Sequence, residues 1–185
     1  MKTALRANLK ATDSRWTVWV ALVVVVLTLT WSVSSVRAIG PNAVRTGFDA
    51  NTLAANDDLS TGPVSLGFTA NFFGTNQTSL YVNNNGNVTF GSSLSTYSAF
   101  DLGNTTKAII APFFGDVDTA ESGSAVVTYG SGSVDGNAAF GVNWPGVECY
   151  RPPAPGLNHF QLLLIDRSDV ASGDFDIEFN YDQVL

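Results

Sequence analysis

Ser79–Gly91 reads SLYVNNNGNVTFG, and its reading decides the fold. Leu80, Tyr81 and Val82 lead into Asn83-Asn84-Asn85-Gly86, and Val88, Thr89 and Phe90 lead out of it. Asn-Gly between two β-rich runs is the strongest short-range hairpin signal, because a two-residue turn needs positive φ at both central positions. On the N-terminal side, Leu66, Phe68, Ala70 and Phe72 alternate with Ser65, Gly67, Thr69 and Asn71, a half-buried strand. On the C-terminal side, Lys107–Phe114 (KAIIAPFF) is continuously apolar, which predicts a strand buried on both faces and ended by Pro112.

The period of two continues to the end. Ala125–Tyr129 and Ala138–Trp144 predict a second hairpin, with SGSVDGN as its turn and Phe140, Val142 and Trp144 on one face. Pro145–Gly156 reads as a proline-rich loop and Phe160–Ile165 (FQLLLI) as a core strand. The last strand is the cleanest: Phe175, Ile177, Phe179 and Tyr181 on one face, Asp174, Asp176, Glu178 and Asn180 on the other. Residues 39–64 are polar, with a turn cluster at Asn56–Pro63, and read as a leader loop with room for one short strand. No segment after the leader has a sustained 3.6-residue period. The expected fold is therefore all-β: an antiparallel sandwich or open barrel of about eight strands over residues 65–185.

Composition narrows the function. The 185 residues hold one Cys and one His, which excludes an internal disulfide framework and Cys- or His-rich metal sites. Residues 1–15 are basic, Trp16–Trp31 carries no charge, and Val36 and Ala38 stand at the −3 and −1 positions of a cleavage site between Ala38 and Ile39. Residues 1–38 thus read as a secretory signal, with an uncleaved N-terminal anchor as the alternative. Without them, 4 of the 9 basic and 15 of the 16 acidic residues remain, a net charge of −11. That surface disfavours nucleic acid and anionic membranes and favours cations. Cys149 is then a free thiol or pairs outside the chain.

Seven stretches in order, among them LGFTANFFG (66–74), SLYVNNNGNVTFG (79–91), AIIAPFFGDVDT (108–119), NHFQLLLIDRSD (158–169) and GDFDIEFNYDQV (173–184), resemble the nidogen-like (NIDO) domain, more closely its bacterial secreted versions. The resemblance runs from about Asn56 to Leu185. It implies an extracellular, non-enzymatic module of cell–matrix adhesion, as in nidogen, alpha-tectorin and large mucins, with matrix or cell-surface proteins or glycans as partners. In that family the chain continues past FNYDQ into a Trp-containing strand, which implies that the sequence is a fragment and that any C-terminal anchor lies beyond it. The CYRPPAP loop (149–155) departs from the family pattern.

Several constellations carry candidate chemistry. Asp116, Asp118 and Glu121 in GDVDTAESG could share a calcium ion, since i and i+2 carboxylates lie on one side of an extended segment; the plainer reading is that they accept turn N–H groups. Asp174, Asp176 and Glu178 could serve glycoside hydrolysis, but alternate polar residues are ordinary on a half-exposed strand. His159 has no visible nucleophile beside it, and GSGS at Gly130–Ser133 reads as a turn. Asn76, Asn87 and Asn104 begin glycosylation triplets that matter only in a eukaryote. Phe113, Phe114, Trp144 and Tyr150 could form a sugar-stacking platform, although core packing is the commoner use. These readings give, as alternatives to adhesion, a carbohydrate-binding module with or without calcium, and a glycosidase.

Overall fold

A computed structural model describes residues 43–150 and 156–185. The leader over residues 1–38, its Ala38–Ile39 cleavage site and residues 151–155 of the proline-rich loop lie outside the described residues. In chain order the strands are β1 (Asn51–Thr52), β2 (Val64–Phe72), β3 (Thr75–Asn83), β4 (Asn87–Thr89), β5 (Ile109–Ile110), β6 (Val117–Asp118), β7 (Thr128–Val134), β8 (Asn137–Cys149), β9 (Asn158–Asp166) and β10 (Phe175–Gln183).

All pairings are antiparallel. One sheet runs β1-β7-β8-β9-β10, with β6 on the far end of β8; the other runs β2-β3-β4-β5. The two pack face to face as a sandwich rather than a closed barrel. Leu66, Leu80, Val82 and Val88 of the second sheet meet Phe140, Val142, Trp144, Phe160, Leu162 and Leu164 of the first in one core. At its centre the Trp144 ring stacks on Phe160, centroids 4.8 Å apart, and Trp144 is fully buried. Burial of that ring strands one polar group, and Nε1 resolves it by donating to the Asn84 carbonyl at 3.0 Å.

Several elements differ from their sequence reading, each for a physical reason. The asparagine turn is a three-residue loop closed by the Asn83–Asn87 pair, and only Gly86 has positive φ (73°). A third loop residue relieves Asn85 of the left-handed conformation. The β7–β8 hairpin carries the two-residue turn instead: Asp135 (50°) and Gly136 (89°) link Val134 to Asn137. Gly130–Ser133 therefore lies in β7 and is not a turn. Lys107–Phe114 gives only the two-residue β5 at the end of its sheet, not a strand buried on both faces; Pro112 has no N–H, and the Phe113 N–H goes to Gly86 O at 3.3 Å.

The outer face of the larger sheet explains the glycines. A Cβ on Gly132 or Gly141 would stand 2.7 or 2.5 Å from the Phe48 ring, and one on Gly130 would stand 3.3 Å from Ala50 N. These glycines leave a shallow floor on which Phe48 lies, buried with Val134, Ala139, Leu163 and Ile165 as a second core. Residues 43–53 are thus a strap over that face, fixed further by β1 on β7 and by Asn143 Nδ2 donating to Phe48 O at 3.0 Å. The polar leader loop expected there is part of the fold.

On β10 the alternation holds only at its ends. Phe175 and Tyr181 pack on the main core, whereas Ile177 and Phe179 are each 43% exposed at the margin of the sheet. Among the described residues, no helix is long and apolar enough to cross a membrane.

Candidate functional site

The asparagine turn does more than reverse the chain. Asn83, Asn84, Asn85 and Asn87 are all buried; the first three tie the turn to other loops, while Asn87 donates back to Asn85 O. Asn83 Nδ2 donates to Asn87 Oδ1 (2.7 Å) and Thr89 Oγ1 (3.0 Å), while its Oδ1 accepts from Ser60 Oγ (2.7 Å) and Leu94 N (3.1 Å). Asn84 Nδ2 faces the carbonyls of Asn56, Asp57 and Val117, and Thr119 Oγ1 donates to the Asn56 carbonyl at 2.8 Å. Asn85 accepts from Val117 N (2.8 Å) and donates to Asp58 Oδ1 (2.7 Å) and Thr96 O (3.1 Å). Among the described residues, no fully buried side-chain N or O atom lacks a partner. A satisfied buried network of this kind rigidifies what it touches.

What it touches is acidic. The loop before β2 brings Asp57 and Asp58, and the loop before β6 brings Asp116, so that one carboxylate oxygen from each lies within 4.8 Å of the others. Asp57 is exposed and the other two are half-buried. Partial burial, then the neighbouring carboxylates Asp118 and Asp58, hold the Asp57 carboxyl above its ordinary value. Burial and then Asp58 and Asp118 do the same at Asp116. Oxygen ligands from several loops suit a hard divalent cation.

Of the three carboxylates read together from the sequence, only Asp116 belongs to this group. Asp118 is buried and its Oδ1 accepts from Ala120 N at 2.8 Å, the turn-capping role. Glu121 is exposed on the following turn. Asp57 and Asp58 were hidden in a stretch read as a turn cluster; the signal that could have found them is the third asparagine, which a hairpin turn does not need.

Other candidates resolve plainly. Asp176 pairs with Arg167 Nη1 (2.9 Å), and Glu178 accepts from Arg45 Nε (2.7 Å) and Nη2 (3.0 Å). His159 Nδ1 lies 3.3 Å from Asp182. Asn76 and Asn104 are exposed, but Asn87 is fully buried and its amide donates to Asn85 O at 3.0 Å, which leaves no room for a glycan. The aromatic platform does not assemble: Trp144 is core, Phe113 packs on Phe160 and Phe114 on Phe100, with Tyr150 40% exposed. Burial, and then the charge of Asp116, raise the Cys149 thiol above its ordinary value, so it stays protonated at neutral pH.

Comparison with curated proteins and with solved structures gives no match. A family model described as NIDO related matches residues 40–184, which takes in both sheets, the strap and the carboxylate loops. The two-sheet architecture and this match agree with the resemblance drawn from the strand motifs: the chain belongs to the NIDO-related family.

Proposed function

We propose that the chain is a non-enzymatic extracellular module of cell–matrix adhesion, exported by its leader and acting through its loops on a matrix or cell-surface protein or glycan. The observation that carries this reading is the family match over residues 40–184. Two features support it. The asparagine network holds loops from four parts of the chain in fixed relation, as a recognition surface requires. Of the strand carboxylates read for glycoside hydrolysis, Glu178 pairs with Arg45 and Asp176 with Arg167. Cells plated on surfaces coated with the full chain are expected to attach saturably above an albumin control. Attachment equal to albumin, for several cell types, would overturn the reading.

A second reading, a calcium-dependent carbohydrate-binding module, is favoured by the convergence of Asp57, Asp58 and Asp116. Under it, millimolar calcium raises the melting temperature, chelator reverses the rise, and Asp116→Asn abolishes it. A melting curve indifferent to calcium removes the cation from the account.

A further inference from the structure

A cavity of about 520 Å³ opens between the β2–β3 hairpin and residues 102–109, on different residues from the carboxylate group. Its chemistry is unusual for an idle surface. Phe73, in the hairpin turn, is 93% exposed and held at φ 48°, its ring edge-on to Phe72 at 4.7 Å. A non-glycine residue in the left-handed region is strained, and burial of this ring does not offset the strain. Across the cavity Leu102 is 46% exposed on a short 3-10 turn capped by Asp101, whose Oδ1 accepts from Gly103 N at 2.8 Å.

Thr105 Oγ1 accepts from Lys107 N at 3.0 Å, and the remaining polar lining is uncommitted. The side chains of Thr75, Gln77 and Thr106 make no hydrogen bond among the described residues. Lys107 pairs with no carboxylate there, whereas the other two described cations, Arg45 and Arg167, are both in ion pairs. The cavity therefore offers an aromatic face, an aliphatic wall, an amide, two hydroxyls and one ammonium.

We propose that this cavity binds the end of a glycan that carries a single carboxylate. A pyranose has an apolar C–H face for Phe73 and hydroxyls for Gln77, Thr75 and Thr106, and its carboxylate suits Lys107. A purely apolar peptide fits worse, because it would cover those three polar side chains and leave them unpaired. A polyanion fits worse as well, since one ammonium faces a surface with a net charge of −11 over residues 39–185. The proposal stands on the cavity alone and needs neither calcium nor the adhesion reading.

The carboxylate could come from a sialic or a hexuronic acid, and two probes separate these: sialyllactose and glucuronosyl-xylotriose, with lactose and xylotriose as neutral controls. Titration calorimetry on the full chain is expected to show saturable binding of one acidic probe, at least tenfold tighter than its control. Lys107→Gln should bring it down to the level of the control. Phe73→Gly, which relieves the left-handed strain and so keeps the fold, should weaken acidic and neutral probes alike, with an unchanged melting curve. Failure of both acidic probes to bind overturns the proposal. So does binding untouched by Lys107→Gln, or binding of laurate in place of either sugar, which would mark an apolar carboxylate as the ligand. Cell attachment that persists while no sugar binds leaves the adhesion reading standing by itself.

Discussion

Replacing Trp144 with phenylalanine would keep an aromatic ring against Phe160 and remove one of two donors to the Asn84 carbonyl, leaving the Gly86 N–H at 2.8 Å. Losing one hydrogen bond from an acceptor that keeps another costs about 0.5–1.5 kcal/mol, and the smaller ring leaves a cavity beside it. Chemical denaturation of Trp144→Phe is therefore expected to show a loss of about 1–3 kcal/mol, a sizeable share of a domain's stability. Two glycines separate backbone strain from steric exclusion. At Gly136 a Cβ meets nothing within 4 Å, so Gly136→Ala should cost only the left-handed penalty, about 1 kcal/mol. At Gly86 the same Cβ would lie 1.8 Å from the Phe113 carbonyl oxygen, so Gly86→Ala should cost several times more and shift the β4–β5 region. Similar melting temperatures for the two variants would show that the turn is free to move away from Phe113.

At the scale of elements, the strap should prove as structural as the strands. Phe48→Ala empties the floor made by Gly130, Gly132 and Gly141, and a buried Phe lost to Ala costs about 3–5 kcal/mol. Hydrogen exchange is expected to show residues 43–53 losing protection while β8 and β9 keep theirs. Legibility in the sequence divides along the same line. Strands such as β2 and β9 were readable: β2 by a period of two that records one buried side, and β9 by a continuous apolar run whose two faces enter the two cores. The strap was not, since its apolar residues follow no alternation and the partners of Phe48 are glycines far along the chain. β10 misled in the opposite sense: Ile177 and Phe179 keep the alternation of a buried face at a place the second sheet does not cover. The carboxylate group was half legible. Asp116 stood out beside a buried run, whereas Asp57 and Asp58 reach it only because Asn84 and Asn85 draw their loop down.

For the molecule as a whole, charge sets how stability responds to pH. Asp57 and Asp116 have folded-state values raised above the ordinary 3.8, so the folded chain holds their protons more tightly than the unfolded chain does. Their contribution to stability is fully present below 3.8 and is lost as the pH climbs through the raised values. At neutral pH these carboxylates oppose folding, and Asp116→Asn is expected to stabilise by about 0.3 kcal/mol after screening by solvent. The gain should vanish at pH 3, which melting curves at the two pH values would detect. Destabilisation at neutral pH would mean that the carboxylate makes a favourable interaction there, with a cation the first to test.

The glycine floor has a mechanical meaning. β1 pairs with β7 through two residues only, and Phe48 rests on a floor of Gly130, Gly132 and Gly141 among the side chains of Val134, Ala139, Leu163 and Ile165. A pull on residue 43 therefore peels the strap upward from the sheet instead of shearing the long β8–β9 ladder. Under tension the strap yields first, as a small extension before the main rupture, and it uncovers Leu163 and Ile165 while the sandwich still holds. A chain loaded from that side would present an apolar strip only when stretched.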